Sequence, residues 1–356
     1  MRRALVLLPL SLAILALGTE AGLRLFHDPE YRRPESSADG TLWKNIVHRR
    51  SSIPGLDYEL KPLVHRTVNG MDITTNALGM RDWEPLPNRR ANDARIVAVG
   101  DSLTFGMRVA GDEAWPKVLE AMLAAAPPSA VLPGARRIEV LNLGVSGYST
   151  LDEAIVVREK AMPLAPDLVI VGYYLNDPET EPVQQLHRHF HAPVWWEHSA
   201  LLRLLASFRR ARDVERLGCG DTFWYLHQDP EKWRSVVDGF ASIAACARNA
   251  GSRVLLVVLP TLRDVERWED YPYRELHERA IAAGKAAGFE TLDVLPAWAA
   301  SGRVPAELAV DGEHPNAAGQ ALIADAIARK ITADPSLLGN HRFAAVTDPR
   351  SNRAGR

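Results

Sequence analysis

Residues 95–106, which read RIVAVGDSLTFG, join a short apolar run to a turn that carries a serine. The run 95–99 is rich in β-branched residues, as strands are, and Gly100 ends it. A helix is expected to begin after Ser102. A serine on a turn between a strand and a helix projects its hydroxyl above the carboxyl edge of a parallel sheet. Its amide points the same way, at a helix start that favours negative charge. This stretch therefore predicts an α/β fold and a reactive position at Ser102.

Apolar runs and helix-start signals alternate along the rest of the chain. Four further runs have strand character: 138–143, 167–173, 253–259 and 290–294. Continuous apolar strands are typical of a parallel sheet that is covered on both faces. The helices between them have recognisable starts, namely a capping box from Thr150 and Glu153, the pair Asp229 and Pro230, and a cap at Asn316. The alternation predicts a doubly wound α/β sandwich with a central, mostly parallel five-stranded sheet.

The composition excludes several classes of protein. With 47% hydrophobic and 24% charged residues among 356, the chain is neither disordered nor collagen-like nor a coiled coil. A formal net charge of −2 produces no positive electrostatic field that would attract phosphate backbones, so we expect no nucleic-acid partner. The two cysteines, Cys219 and Cys246, cannot build a disulfide framework or a four-sulfur zinc site. Whether they pair with each other stays open.

The N-terminus has the pattern of an export signal. Two arginines precede residues 4–17, which are apolar except for one proline and one serine. The run is shorter than the ~18 apolar residues of a clear spanning helix, and residues 16–18 offer a small-x-small cleavage site. Residues 1–22 are therefore predicted to be a signal peptide or an N-terminal membrane anchor, with a tether through residues 4–18. We expect an exported protein, periplasmic or extracellular.

The remaining organisation follows from shifts in composition. Residues 23–92 are polar and proline-bearing, with short candidate strands such as 72–75, and we expect an N-terminal extension packed on the main domain. The main domain spans 93–331. Within it, residues 178–222 form an insertion rich in His, Trp and Arg, at a strand end where ligands bind in open α/β sheets. Residues 332–356 are predicted to be a polar tail.

Three more short motifs carry groups that could act with Ser102. Asp311 lies three residues before His314, a spacing that lets the carboxylate fix the tautomer of a base. Gly144 follows the second strand, where a glycine amide can approach a ligand closely. Asn176 follows the third strand, and its side-chain amide could donate to an oxyanion. Each motif could be an ordinary turn, but their common place at strand ends predicts one site.

In chain order, these motifs resemble the four blocks of the SGNH (GDSL-type) esterase/lipase family. The matching residues are Gly100-Asp101-Ser102, Gly144, Asn176, and Asp311 with His314. The resemblance covers residues 95–330, roughly two-thirds of the chain. It implies a flavodoxin-like three-layer α/β/α fold and serine-based hydrolysis of carboxylic esters, with no metal and no organic cofactor. One position departs from the pattern, since Tyr174 stands where the third block usually has glycine.

The resemblance also implies a role for each matching residue. Ser102 would be the nucleophile, His314 the general base and Asp311 the group that orients His314. The amides of Ser102 and Gly144 and the side chain of Asn176 would form the oxyanion hole. The expected substrate is a small-molecule or glycan ester. No residue pattern specifies the acyl chain, the alcohol or the oligomeric state.

Two other functions use the same fold. An O-acyltransferase or deacetylase acting on cell-surface polysaccharide would need the same residues, so it stays open. A non-catalytic binding module would need none of them, so the complete set argues against it. An α/β-hydrolase does not fit, because Thr104 replaces the second glycine of the Gly-x-Ser-x-Gly elbow.

Some further residues have competing interpretations. His187, His189 and His191 alternate but lack a carboxylate or cysteine at ligand spacing, which favours a solvated loop over a metal site. Trp195 and Trp196, with the leucines after them, could form a lid or acyl-chain wall, or could pack the insertion on the domain. Arg108 and Glu313 are interpreted as surface residues.

Overall fold

A computed structural model describes residues 2–26, 41–68, 70–87, 90, 93–125 and 137–338. Its strands are β1 (His48–Arg50), β2 (Tyr58–Leu60), β3 (His65–Val68), β4 (Met71–Thr74), β5 (Asp93–Gly100), β6 (Arg137–Asn142), β7 (Leu168–Tyr173), β8 (Arg253–Val258) and β9 (Glu290–Asp293). Strands β1 and β2 pair with each other antiparallel, as do β3 and β4. The other five strands form one sheet.

The helices, again in chain order, alternate with these strands. They are α1 (Arg2–Phe26), α2 (Thr41–Val47), α3 (Ser102–Phe105), α4 (Trp115–Ala125), α5 (Thr150–Val156), α6 (Gln185–Phe190), α7 (Ala200–Gly218), α8 (Thr222–Gln228), α9 (Pro230–Ala250), α10 (Arg274–Ala287), α11 (Leu295–Ala299), α12 (Pro305–Leu308) and α13 (Ala317–Ala333). Five single turns of 3₁₀ helix and one of π helix complete the described regular structure.

The five-stranded sheet is parallel throughout, with the order β6-β5-β7-β8-β9. This is the flavodoxin-like order, and it confirms the predicted α/β/α fold class. Helices α4 and α13 pack together on one side, while α5, α9 and α10 form the other layer. Strands β5 and β7 are buried along their whole length, which explains their unbroken apolar sequences. The chain leaves β5 toward β6 on one side and leaves β7 toward β8 on the other, so a ligand crevice is expected at the carboxyl ends of β5 and β7.

The described part of the extension has direct hydrogen bonds to the sheet domain. The buried Arg81 guanidinium donates to three carbonyls around α3: Phe105 at 2.8 Å, Gly106 at 2.6 Å and Val109 at 2.8 Å. The Asp82 carboxylate accepts the Asn142 amide at the end of β6 at 2.8 Å. These contacts place residues 81–82 behind the turn that carries Ser102.

Two predicted features differ in detail. The capping box of α5 uses Ser149 and Asp152, one residue earlier than predicted, because Ser149 keeps an extended backbone and accepts the Asp152 amide. The predicted polar tail does not begin at residue 332. Helix α13 continues to Ala333, and Leu337 and Leu338 in the next turn are fully buried, so their apolar side chains join the core.

The N-terminal helix and the two cysteines bear on the predicted membrane tether and on disulfide pairing. Within the residues that the structure describes, no helix is both long enough and apolar enough to cross a membrane. Cys219 and Cys246 are both free thiols, the first exposed and the second partly buried.

Candidate active site

Ser102 is the first residue of α3 and follows β5 by way of a tightly packed turn. Asp101 caps the helix, and its carboxylate accepts the Leu103 amide at 2.9 Å. A side chain at Gly100 would place its Cβ 2.1 Å from Thr104 Oγ1, and one at Gly172 in β7 would place it 2.4 Å away. Thr104 therefore occupies space that two glycines leave open. Thr104, which stands where the Gly-x-Ser-x-Gly elbow has its second glycine, is thus a packing residue of this turn.

A chain of hydrogen bonds joins Ser102, His314 and Asp311. The Ser102 hydroxyl lies 3.1 Å from His314 Nε2, and His314 Nδ1 lies 3.0 Å from both carboxylate oxygens of Asp311. The carboxylate also accepts the backbone amide of His314 at 2.9 Å. This arrangement fits a tautomer with the proton on Nδ1, which leaves Nε2 to accept the serine proton. The three residues predicted from the sequence to work together are adjacent in space.

The loop that holds His314 is closed at both ends. Ala309 and Pro315 form an antiparallel bridge, and the Val310 amide donates to the His314 carbonyl at 2.9 Å. Asn316 then caps α13, with its side chain accepting the amides two and three residues on. These backbone and cap contacts hold the loop in which Asp311 positions the imidazole.

Arg108, interpreted as a surface residue, is a partner of Asp311. Its Nε lies 3.0 Å from Asp311 Oδ2, although its side chain stays partly exposed. Burial raises the pKa of Asp311, but the His314 amide, the His314 charge and Arg108 outweigh it and lower the pKa to about 2. Asp311 is therefore ionised throughout the neutral range. The sequence has no signal for this pair, since 203 positions separate its members.

The Gly144 amide lies beside the turn but already has an acceptor. It donates to Asn142 Oδ1 at 2.9 Å. A Cβ at this position would lie 2.4 Å from the Phe105 amide nitrogen, so only glycine allows so close an approach to α3. The amide could therefore serve an oxyanion only by sharing or releasing the bond to Asn142.

Asn176 lies in the turn after β7, next to Asp101, the residue before Ser102. Its side chain gives a hydrogen bond that stabilises the charged form of Asp101. Its Oδ1 is buried without a hydrogen-bond partner among the described residues. Because Oδ1 accepts no hydrogen bond from these residues, the contacts of Nδ2 determine the orientation of the Asn176 amide.

Tyr174 and Glu313 form a polar cluster next to His314. The Tyr174 hydroxyl lies 2.9 Å from Thr261 Oγ1 and 3.2 Å from Glu313 Oε1. The same Glu313 oxygen pairs with Arg263 at 2.6 Å. Glu313 is thus an ion-paired, partly buried residue, and not the surface residue that we expected. Tyr174, in place of the usual glycine, provides one side of this cluster.

Several buried carboxyl groups lie behind the serine turn. Asp101, Glu153 and Asp177 are fully buried, and among the described residues the carboxylates of Glu153 and Asp177 have no hydrogen-bond partner. Burial, followed by mutual repulsion, raises the pKa of Glu153 and Asp177 well above the ordinary range. Burial also raises the pKa of Asp101 to about 6. Sequence reasoning missed this group, because Glu153 looks like an exposed capping residue.

The histidines of the insertion have structural contacts. His187 Nε2 lies 2.7 Å from the Gly147 carbonyl, and His191 lies between Asp57 and Glu197 at 3.3 and 3.0 Å. Among the described residues, no three His, Cys, Asp or Glu side chains converge in a group that could hold a metal ion. These contacts join the insertion to the extension and to the loop after β6.

A cavity of about 730 Å³ lies under the insertion, apart from the serine. Its charged side chains neutralise each other, as in the pairs of Glu181 with Arg210 at 2.7 Å and with Lys232 at 3.2 Å. Neither Ser102 nor His314 lines it. The cavity is therefore separate from the serine site.

The family model of GDSL-like lipases and acylhydrolases matches residues 98–322, more than half of the chain. The chain belongs to the GDSL-like lipase/acylhydrolase family. The matched region begins within β5 and ends within α13, and it includes every residue of the serine site. This GDSL-like protein is therefore an enzyme that hydrolyses carboxylic esters.

Several solved structures are similar to this GDSL-like hydrolase at low sequence identity. The α/β hydrolase LAE5 from the metagenome of Lake Arreo, Spain, is 19% identical, with 69% of this chain and 97% of that chain covered and a TM-score of 0.44. The acetylxylan esterase Axe2 from Geobacillus stearothermophilus is 18% identical over 68% and 96%, with a TM-score of 0.44. TesA is 18% identical over 68% and 98%, with a TM-score of 0.41. No curated protein matched the sequence.

Proposed function

We propose that this GDSL-like hydrolase cleaves esters by a covalent mechanism in which Ser102 is the nucleophile, His314 the base and Asp311 the orienting group. The observation that carries the proposal is the unbroken hydrogen-bond chain from the Asp311 carboxylate through the imidazole to the Ser102 hydroxyl. A serine hydroxyl is a weak nucleophile until a base removes its proton, and this chain supplies that base.

In the first step, His314 Nε2 takes the Ser102 proton as Oγ attacks the ester carbonyl. The tetrahedral intermediate collapses when the C–O bond to the alcohol breaks, and the alcohol leaves with the proton from His314. In the second step, His314 takes a proton from the water that attacks the acyl-serine, and returns it to Ser102 Oγ as the bond between Oγ and the acyl carbon breaks and the acid leaves. Asp311 stays ionised, because its low pKa keeps its negative charge beside the transient imidazolium.

The oxyanion of each tetrahedral intermediate would be held by the Ser102 amide, the Gly144 amide and the Asn176 side chain. Support comes from their position at the carboxyl ends of β5, β6 and β7, around one crevice. Since the Gly144 amide binds Asn142 in the free enzyme, we infer that the oxyanion takes over this donor. Removal of one such donor typically costs ~10²–10³ in rate.

The substrate class that we propose is an ester of a small molecule or a glycan. The polar cluster of Tyr174, Glu313 and Arg263 lies next to His314, where the alcohol portion would leave. The side chains of Arg263 and Glu313 are partly exposed, so a hydroxyl-rich alcohol could exchange hydrogen bonds with them.

We also propose that the enzyme acts outside the cytoplasm. The support is the sequence of residues 1–22, with paired arginines before an apolar run. Cell fractionation with N-terminal sequencing of the recovered protein tests this. Recovery in the cytoplasmic fraction would contradict export.

The hydrolase proposal is tested with p-nitrophenyl acetate and octanoate under burst conditions. We expect a burst of nitrophenolate that Ser102→Ala abolishes, and the ratio of the two rates reports the acyl chain that the site accepts. Retained turnover in a folded Ser102→Ala protein would exclude Ser102 as nucleophile. Slow turnover that accelerates with an added sugar, with the acyl group recovered on that sugar, would instead show an acyltransferase.

A further inference from the structure

The insertion exposes apolar side chains that the serine mechanism does not use. Trp195 has 81% of its surface exposed and Phe208 has 63%, and Leu205 is more than half exposed. Leu202, Leu205 and Phe208 recur at intervals of three along α7, so they lie on one face of that helix. Contiguous apolar side chains of this size mark a surface that binds another apolar phase or molecule.

Positive charge continues the same helix face. Arg209, Arg212 and Arg216 lie about one, two and three turns beyond Leu205 and are each more than 60% exposed. All three share one acidic partner, Asp213, at 3.3–3.8 Å. The whole of α7 has five arginines against Asp213 and Glu215, in a chain whose net charge is −2. Five positive and two negative side chains give this helix a net charge of +3.

The N-terminal helix α1 meets the insertion at the start of α7. Glu20 accepts the Ser199 hydroxyl at 2.8 Å and the amides of Ala200 and Leu201 at 2.9 Å. Arg24 pairs with Glu20 at 2.6 Å. This carboxylate supplies acceptors for free amides at the α7 N-terminus. Beyond this contact, α1 exposes the apolar side chains Leu12, Ile14, Leu15, Leu17, Leu25 and Phe26.

We propose that this face of the insertion is a docking surface for an anionic lipid bilayer. The face consists of Trp195, Leu202, Leu205 and Phe208, with Arg209, Arg212 and Arg216 as its basic end. Aromatic and aliphatic side chains enter the headgroup region, while arginines bind lipid phosphates. The exposed apolar side chains of α1, attached through Glu20, extend the surface to a second element.

The charge pattern favours a bilayer over a second copy of the chain. In an antiparallel two-fold pairing of α7, the arginine end of one copy would lie against the apolar end of the other, which would bury three charges among apolar side chains. An anionic membrane surface instead attracts each arginine by about 1 kcal/mol. The apolar residues alone fit either occupant, and the arginines distinguish them.

The test uses the full chain with Cys219→Ser and Cys246→Ser, labelled with an environment-sensitive dye at Phe208→Cys. The matched control has the dye at Trp83→Cys, since Trp83 is 73% exposed but lies in the extension. Vesicles of mixed phosphatidylcholine and phosphatidylglycerol are added, and dye emission and co-flotation are recorded. We expect a blue shift at position 208 and none at position 83.

Charge dependence is tested with the triple variant Arg209→Gln, Arg212→Gln, Arg216→Gln. Each lost arginine should weaken vesicle binding about fivefold, the change that corresponds to ~1 kcal/mol. A variant with Arg267→Gln and Arg329→Gln, both exposed elsewhere, should bind as the parent does.

Three outcomes would overturn the proposal. In the first, the protein floats with vesicles but position 208 shows no shift, so α1 alone binds lipid. In the second, the shift appears without vesicles and rises with protein concentration, so a second copy covers the face. In the third, the protein neither floats nor shifts. None of these results bears on whether Ser102 cleaves esters.

Discussion

At the scale of single residues, the serine site depends on a few short contacts whose loss has different consequences. Asp311 fixes the imidazole through two oxygens at 3.0 Å, and Arg108 in turn pairs with Asp311. The first contact determines which nitrogen carries the proton, whereas the second stabilises a charge that other donors also stabilise. The two residues should therefore differ in importance.

We expect Asp311→Asn to lower kcat by about 10⁴-fold, because an amide can hold the imidazole in the wrong tautomer. Arg108→Ala should lower it only about two- to fivefold, the effect of an ion pair worth under ~1 kcal/mol. The measurement is kcat on p-nitrophenyl acetate, with circular dichroism to verify folding. Equal losses for both variants would contradict the tautomer argument.

The same pair predicts a change in pH dependence. Arg108 lowers the pKa of Asp311, so its removal raises that pKa from about 2. A depressed carboxyl pKa stabilises the folded protein above the unfolded value of 3.8, and that stability is lost as pH falls toward about 2. Arg108→Ala should therefore lose less stability than the parent between about pH 4 and about pH 2. Denaturant titrations of the two proteins across this range measure the difference, and identical pH dependence would show that Arg108 does not act through Asp311.

Gly144 is predicted to tolerate no side chain. A Cβ there meets the Phe105 amide nitrogen at 2.4 Å, and backbone atoms cannot move as a flexible side chain could. Gly144→Ala should shift the serine turn and lower both kcat and the melting temperature. The control is Gly111→Ala, where a Cβ would meet nothing within 4 Å. If both variants behave like the parent, the close packing of Gly144 on α3 is wrong.

At the scale of elements, the described extension residues brace the turn that carries the nucleophile. Arg81 is buried, its guanidinium lies 4.4 Å from the Phe105 ring centroid, and it donates to carbonyls at the end of α3.

The strand runs, the helix caps at Asp229 and Asn316 and the insertion could all be predicted from local sequence. The Arg81 contacts could not, because they join residues 24–28 positions apart across two elements.

Replacement of Arg81 by leucine should destabilise the protein by several kcal/mol. Three carbonyls would lose the guanidinium, of which Phe105 and Gly106 keep only longer bonds, from Asn142 Nδ2 at 3.5 Å and the Val109 amide at 3.3 Å. Each group left buried without a partner costs about 1–3 kcal/mol. Arg66→Leu is the control, since Arg66 is exposed and donates to its neighbour's carbonyl. Chemical denaturation measures both. A loss of stability no larger than in the control would mean that the extension does not support α3.

At the scale of the whole molecule, the sheet order follows from long-range packing rather than from local pattern. The alternation of strands and helices predicts the fold class. It does not predict that β6 lies at an edge of the sheet beside β5, because no local sequence feature specifies which strands pair. The same limit applies to the buried carboxyls. Glu153 reads as a capping residue in sequence, and only the fold shows that it is buried near Asp101 and Asp177.

These buried carboxyls predict that stability falls as pH rises. Their pKa values are higher in the folded protein than in the unfolded chain, so the folded state holds protons that the unfolded state has released. For Asp101 the loss begins near the unfolded value of 3.8 and extends to about 6, and Glu153 and Asp177 continue it to higher pH. Each group contributes a slope of about 1.4 kcal/mol per pH unit within its window.

We expect Asp177→Asn to flatten this dependence, because the amide has no proton to hold. The free energy of unfolding, measured by denaturant titration from about pH 5 to about pH 8, should fall less steeply than in the parent. Asp112→Asn, at an exposed position, should leave the slope unchanged. A parent protein whose stability rises over this range would show that these carboxyls are ionised in the folded state.

Covalent labelling with a fluorophosphonate, followed by peptide mass spectrometry, shows whether Ser102 is the activated nucleophile. We expect one adduct per chain, on the peptide containing Ser102, with activity lost in proportion to labelling and no labelling in His314→Ala. An adduct on Ser146 or another hydroxyl, or full labelling of Ser102 with activity retained, would contradict it.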